Sequence, residues 1–351
     1  MSEDIYDRLA DALHRLPNGF TRTASRAEIP LLRRMFTPEE AEIGAQLGRD
    51  MEPVEEIAAR LRMEPLVARK RLMDMARKGL VWFERGEGKA RFRLAPFVVG
   101  SYEAQLDVMD NELAHLFEAY LAAGGAADIM RPQPALTRVI PVQSAVKAEE
   151  ILPYDDVRAI LMRAKTFRVQ DCICRLQQDH IGRRCDFPLR VCLTFSNAES
   201  TTPHPNAITR EEALALLDEV EEIGLVHSVS NVMEGLGFIC NCCGCCCGVL
   251  RSINEFGVER SIARSNYDAV IDSDVCTGCG VCVERCQVHA ITLDGGVAVV
   301  DLARCIGCGL CVSGCEFGAA SLRRKDPEEI VPPPLNMTAW EEERLRRRTM
   351  P

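Results

Sequence analysis

"CTGCGVCVERC" occupies residues 276–286, and "CIGCGLCVSGC" follows at residues 305–315. Both space their cysteines as C-x2-C-x2-C-x3-C, and the two stretches lie twenty-nine residues apart. The match extends past the thiols. Asp272 aligns with Asp301, Ala269 with Ala298, Ala290 with Ala319 and Leu293 with Leu322. This is an internal duplication, and its pattern predicts a short strand before each motif and another after it. Three thiolates set two residues apart let a tight loop wrap three irons of a cubane. The fourth, on a short helical turn, faces the other cubane. Gly278, Gly280, Gly307 and Gly309 permit close backbone approach and leave amides free for cluster sulfurs. The spacing therefore assigns Cys276, Cys279, Cys282 and Cys315 to one [4Fe-4S] cluster. Cys305, Cys308, Cys311 and Cys286 belong to a second. Zinc, the usual rival for four cysteines, is typically held by two distant CxxC knuckles rather than by a doubled eight-cysteine pattern.

Residues 266–322 resemble the bacterial two-cluster ferredoxins. The resemblance implies low-potential one-electron transfer between protein partners, with no substrate chemistry at the clusters. The segment departs from that family after each fourth cysteine, where proline is usual and Gln287 and Glu316 stand here. The change is expected to alter loop rigidity and to leave the ligand set intact. Asp268, Asp272, Asp274, Glu284, Asp294, Asp301 and Glu316 face only Arg285 and Arg304 in this segment. That acidic surplus suits steering toward a basic partner surface; a plain solvated face is the alternative.

Eighteen cysteines in 351 residues, with an acidic amphipathic start "MSEDIYDRLADALHRL", point to metal rather than disulfides. We expect a cytoplasmic protein without signal peptide or membrane span. Apolar residues make up 47% of the chain, enough for two or three buried cores. The net charge of −10 argues against a nucleic-acid coat but leaves room for a local basic face.

Ten cysteines lie outside the repeat. Cys172, Cys174, Cys185 and Cys192 form a CxC-x10-C-x6-C set, the candidate for a third centre. Cys240, Cys242, Cys243, Cys245, Cys246 and Cys247 crowd into "GFICNCCGCCCGVL", residues 237–250. In an extended chain adjacent side chains point to opposite sides, so one site can use about three of these six. Gly244 is expected to allow a sharp bend, and Cys242 with Cys245 gives a CxxC frame. Two arrangements follow: two separate centres, or one centre drawing on both sets with surplus thiols beside it. Its chemistry is a further iron–sulfur cluster, or else structural zinc, or free thiols with a strained Cys242–Cys243 disulfide. His227 reads as a hydrogen-bonded core histidine before a ligand. Arg175 is placed to balance thiolate charge or to cap a turn. "VIPV", "ILPYDDVRAIL", "VQDCICR", "GLVHSV" and "FICNCCGCCCGVLR" are similar to segments of uncharacterised ferredoxin-like proteins of anaerobic bacteria. That resemblance implies an electron-transfer accessory to an anaerobic oxidoreductase.

The expected fold is α+β. Residues 1–36 give an amphipathic helix and loop. Residues 37–96 read as a winged helix-like domain, beginning at a capping box of Thr37 and Glu40. Two helices there meet at a turn near Met63–Pro65, and a hairpin pairs Leu80–Glu84 with Ala90–Leu94. A single long helix over 101–125 and a proline-containing linker fill 97–150. Residues 151–250 form the cysteine-rich metal-binding domain, with a helix capped by Thr209 and Glu212. Residues 323–351 are a tail whose charged helix is placed to hold Trp340 against a neighbour. From Val54 to Ala95, eleven Lys/Arg stand against six Asp/Glu. Arg69, Lys70, Arg71, Arg77 and Lys78 on the second helix, with Arg85, Lys89, Arg91 and Arg93 on the hairpin, suggest a redox-sensing DNA-binding regulator as the alternative function. No dinucleotide fingerprint, P-loop, nucleophile elbow or HExxH helix is present. The reading that leads is an iron–sulfur carrier passing single electrons between a flavoprotein or reductase and a second protein, as a subunit of a larger complex.

Overall fold

Asp4 starts the first helix by accepting a hydrogen bond from the Tyr6 amide, and α1 spans Ile5–Arg15. Its apolar side packs Leu9 and Leu13 against Leu31 and Leu32 of α2 (Glu28–Met35) and Ile43 of α3 (Pro38–Ala45), all buried. Thr37 and Glu40 close the expected reciprocal capping box at the head of α3. The structure, a computed structural model, describes residues 4–85, 90–199 and 202–349. It divides into one unit of residues 1–133, 176–183 and 341–351, and another of 134–175 and 184–340.

In the first unit, β1 (Glu52–Pro53) leads into α4 (Val54–Leu61), which ends on Arg62 in the left-handed conformation. Helix α5 (Pro65–Arg77) follows, with proline at its first position. β2 (Val81–Arg85) then pairs antiparallel with β3 (Ala90–Leu94) in the register Val81↔Leu94 to Arg85↔Ala90. β1 adds to β3 and makes a three-stranded sheet. The helix expected over 101–125 is broken instead. A 3-10 turn at Glu103–Val108 stops at extended Met109, and Asp110 caps a fresh helix, α6 (Asn111–Tyr120). Its carboxylate accepts from the Leu113 amide at 2.8 Å. Asp side chains compete in this way for amides a continuous helix would use. Gly124, at φ 106°, turns the chain into α7 (Ala126–Met130). Phe20, Phe97, Phe117 and Tyr120 stack into the aromatic centre of this unit.

The second unit is built on a six-stranded antiparallel sheet, and its mixed strands and helices make the fold α+β. Its elements begin with β4 (Thr137–Ile140), α8 (Val157–Arg163), β5 (Thr166–Asp171), the start of α9 (Ile173–His180, of the first unit from residue 176) and β6 (Arg190–Ser196). They continue with β7 (Ala207–Ile208), α10 (Arg210–Glu222), β8 (Val226–Ser230) and β9 (Phe238–Cys242). The strand order is β4-β8-β9-β6-β5-β7. Alternation along the strands divides the side chains between two faces. Ile140, Phe167, Leu193, Phe195, Val229 and Ile239 pack under α8 and α10. Val139, Val226 and Cys242 join a different buried cluster. Thr209 and Glu212 form the second capping box, at the start of α10.

α11 (Gly248–Asn254) follows the cysteine-rich stretch, and then the repeat begins. β10 (Tyr267–Ile271), α12 (Val281–Glu284) and β11 (Ile291–Asp294) carry the first motif. β12 (Val297–Val300), α13 (Leu310–Ser313) and β13 (Ala320–Arg324) carry the second. β10 pairs with β13 and β11 with β12, so the outer and inner strands of the duplication close on each other. The last helix, α14, spans Met337–Thr349. Trp340 is buried near its start and donates through Nε1 to the Ala135 carbonyl at 2.9 Å. Among the described residues no helix is long and apolar enough to cross a membrane.

Candidate metal centres

All eighteen cysteines are free thiols, and the fold gathers them into four groups. Two groups belong to the repeat. One hollow of about 370 Å³ is lined by Cys276, Cys279, Cys282 and Cys315. A second, of about 330 Å³, is lined by Cys286, Cys305, Cys308 and Cys311. Each hollow takes three cysteines from one motif and its fourth from the other. The loops that make them use the left-handed region at Gly278 and Gly307, both at φ 68°. A side chain at Gly278 would collide with the Gly296 carbonyl, and one at Gly307 with Ser265 and Tyr267. Backbone amides point at the sulfurs: Ala290 N–H donates to Cys286 Sγ at 3.1 Å and Ala298 N–H to Cys276 Sγ at 3.4 Å. In the first hollow Cys279 is exposed, whereas in the second Cys311 is buried. Burial pushes the Cys311 thiol up to about 12. An ionised sulfur at that depth is costly unless a positive centre accompanies it. Four sulfurs per hollow, amide donors and apolar walls fit a thiolate-bound cluster.

The ten other cysteines do not keep their grouping by sequence. Cys185, in the loop after α9, stands with Cys243, Cys245 and Cys246, and the four sulfurs lie within 4.8 Å of one another. Cys246 is 3.5 Å from Cys185 and 3.7 Å from Cys245. The remaining six form a ring of neighbouring thiols. Cys172 neighbours Cys174 and Cys192. Cys174 continues to Cys247, and Cys192 to Cys240. Cys242 closes the circle between Cys240 and Cys247. Cys242 and Cys245, a CxxC frame in sequence, thus fall in different groups.

Strand geometry explains the division. On β9, Cys240 and Cys242 are two residues apart and share a face. The β6–β9 register, Leu193↔Ile239, brings Cys192 beside Cys240. Asn241 points to the other face, where its Oδ1 meets His227 Nδ1 at 2.7 Å. His227 is therefore a buried, hydrogen-bonded core side chain, and burial lowers its pKa. Gly244 does not occupy the left-handed region. It is needed because a side chain there would strike the Gln287 carbonyl. Gln287 Oε1 accepts from the Gly244 amide at 2.8 Å, and its Nε2 donates to the Gly224 carbonyl at 3.0 Å.

Arg175 is buried beside both groups. It donates to the Pro188 carbonyl at 3.0 Å and to the Asn241 carbonyl at 2.8 Å. Burial opposes its charge, but the thiolates of Cys172, Cys243 and Cys242 outweigh that and raise its pKa above the ordinary arginine value. Cys172 and Cys242 are held low by hydrogen bonds from their ring neighbours, Cys242 at about 6.

The family model of the 4Fe-4S dicluster domain matches residues 268–316. This segment is a ferredoxin-type iron–sulfur domain. No curated protein and no solved structure matches the chain. The ferredoxin-type domain accounts for eight cysteines, and the quartet and ring lie outside the matched residues. Sequence spacing brought out the repeat because three of each hollow's four cysteines lie within seven residues of one another. It missed the quartet because Cys185 is sixty residues from its partners in the chain; the alternation of Cys242 with Cys243 was the available signal.

Proposed function

We propose that the protein relays single low-potential electrons between protein partners through two [4Fe-4S] clusters. Cys276, Cys279, Cys282 and Cys315 hold one, and Cys286, Cys305, Cys308 and Cys311 hold the other. The observation that carries this reading is the crossed sharing of the fourth cysteine between two adjoining hollows. When bound, the cluster pair supplies one-electron exchange. The chain's own residues position the pair and present it. Arg285 and Arg304, the two cations of the segment, are spent on backbone carbonyls: Arg285 on Leu310, Glu222 and Glu221, Arg304 on Val288. Asp272, Asp274, Glu284, Asp294, Asp301 and Glu316 stay exposed. Val281 and Phe317, also exposed, line the hollow where Cys279 meets solvent. An acidic face with an apolar patch fits a basic redox partner such as a flavoprotein or reductase.

The regulator reading draws less support. α4, α5 and the β2–β3 hairpin follow the order of a winged helix, yet its cations are largely engaged. Arg71 pairs with Glu39, Arg77 with Asp74 and Lys78 with Glu40. Arg93 lies over Trp82 and pairs with Glu341. Arg91 donates to the Met51 carbonyl, and Lys89 lies outside the described residues. We read this module as a protein-docking element.

Paired serine variants test the crossed ligation in anaerobically purified full-length protein. Cys282→Ser with Cys315→Ser should lose no more iron than either alone, about four atoms. Cys282→Ser with Cys286→Ser should lose about twice that. Additive loss in the first pair, or no further loss in the second, would contradict the assignment.

A further inference from the structure

A tetrahedral ion held by four thiolates at about 2.3 Å sets its sulfurs about 3.8 Å apart. The Cys185–Cys246 and Cys245–Cys246 separations of 3.5 and 3.7 Å fall at that spacing, and the whole quartet lies within 4.8 Å. In a cubane each thiolate binds a different iron, so four sulfurs must stand further apart than on one ion. The repeat illustrates the contrast. Among the described residues, no other group of three or more metal-binding side chains draws in as tightly as the quartet.

The ring of six is a different object. One tetrahedral ion accepts four thiolates, whereas here six thiols neighbour one another, with Cys192 set beside Cys240 by the β6–β9 register and Cys240 and Cys242 on one face of β9. None of the six is exposed, and Arg175 is the cation set beside Cys172 and Cys242. Six thiolates at one buried site would carry more negative charge than a single divalent ion offsets, so a metal site built on all six is polynuclear. The two groups adjoin, and Cys172 shares a buried cluster with Cys243 and Cys246. The chain crosses between them at Cys242–Cys243 and again at Cys246–Cys247, and the Cys247 amide donates back to the Cys243 carbonyl at 3.2 Å.

We propose that the ten cysteines outside the repeat build two separate centres: one tetrahedral metal ion on Cys185, Cys243, Cys245 and Cys246, and one polynuclear iron–sulfur cluster on Cys172, Cys174, Cys192, Cys240, Cys242 and Cys247.

The choice of iron and sulfide for the ring rests on the electron-transfer reading above and on its position. Cys242, Cys247 and Cys240 belong to the same hydrophobic cluster as Cys286, Cys305 and Cys308 of the second hollow, with Val288, Ile306 and Leu310 between. A redox-active centre there extends the relay from the ferredoxin-type domain into the sheet. The quartet, one residue beyond along the chain, fixes the loop that supplies half the ring.

The test is metal and acid-labile sulfide analysis of anaerobically purified full-length protein and four variants, each checked for native circular dichroism. Cys245→Ser and Cys185→Ser should each remove about one metal atom per chain and no sulfide. Cys172→Ser and Cys240→Ser should remove iron and sulfide together, keeping the quartet ion and the roughly eight irons of the repeat. X-ray absorption on the unmutated protein covers a variant that fails to fold. If the quartet ion is zinc, its edge should show four sulfurs at about 2.3 Å and no metal neighbour. If it is iron, Mössbauer spectra should show a mononuclear sulfur-bound component beside the clusters. Loss of the same metal and sulfide from both variant pairs would mean one joint centre and overturn the proposal. So would zinc in the ring, or no metal beyond the repeat's own. Failure of the ferredoxin reading shows separately, as iron missing from the repeat while the metal of the ten cysteines remains.

Discussion

Gln287 stands where two-cluster ferredoxins usually carry proline, and its contacts explain the exchange. Its side chain accepts from the Gly244 amide and donates to the Gly224 carbonyl, while its own carbonyl accepts from Asn254 Nδ2 at 3.0 Å. Proline could make neither side-chain bond. Gln287 thus bridges the second hollow, at Cys286, to the loop of Cys243–Cys246. Replacing it with alanine leaves a part-buried amide and a carbonyl unpaired, at a cost of about 1–3 kcal/mol. Denaturant unfolding of Gln287→Ala should show that loss, with iron in the repeat unchanged; wild-type stability would remove the bridge from the account. The departure from proline was visible in the sequence. Its reason was not, because Gly224 and Gly244 reach Gln287 only through the fold.

Among the elements, those with local signals were legible. Thr37 with Glu40 and Thr209 with Glu212 each announced a helix start, and both boxes form. The helix over 101–125 was misread because apolar periodicity continues through Asp110, whose carboxylate takes the Leu113 amide and restarts the helix. The charge surplus over 54–95 was legible as a count, but its engagement was not. On α5 only Arg69 and Lys70 are exposed cations without an ion pair among the described residues. With Arg85 of the hairpin, also exposed and without an ion pair among the described residues, such cations can neutralise about three phosphates, giving weak binding with a shallow salt slope. A mobility-shift assay on random duplex at 150 mM salt should therefore show no retarded band at micromolar protein. A band that weakens steeply with added salt would restore the regulator reading.

Across the whole molecule, the sheet of the second unit divides its packing by face. Helices α8 and α10 cover one side, and the repeat with Cys240, Cys242 and Cys247 covers the other, while Cys172, Cys243 and Cys246 pack with Val220 of α10. The repeat could be read from sequence because eight ligands and their glycines recur at fixed short intervals. The quartet and ring could not, since each joins cysteines of 172–192 to cysteines of 240–247, which only the fold brings together. The account depends on residues 276–315 holding a pair of iron–sulfur cubanes that exchange electrons one at a time. Electron paramagnetic resonance during reductive titration of anaerobically purified full-length protein tests it most directly. A brown protein that takes up electrons from a strong reductant and develops reduced-cluster signals, diminished in Cys282→Ser and again in Cys311→Ser, is the predicted result. A colourless protein, zinc in place of iron, or no electron uptake would contradict it.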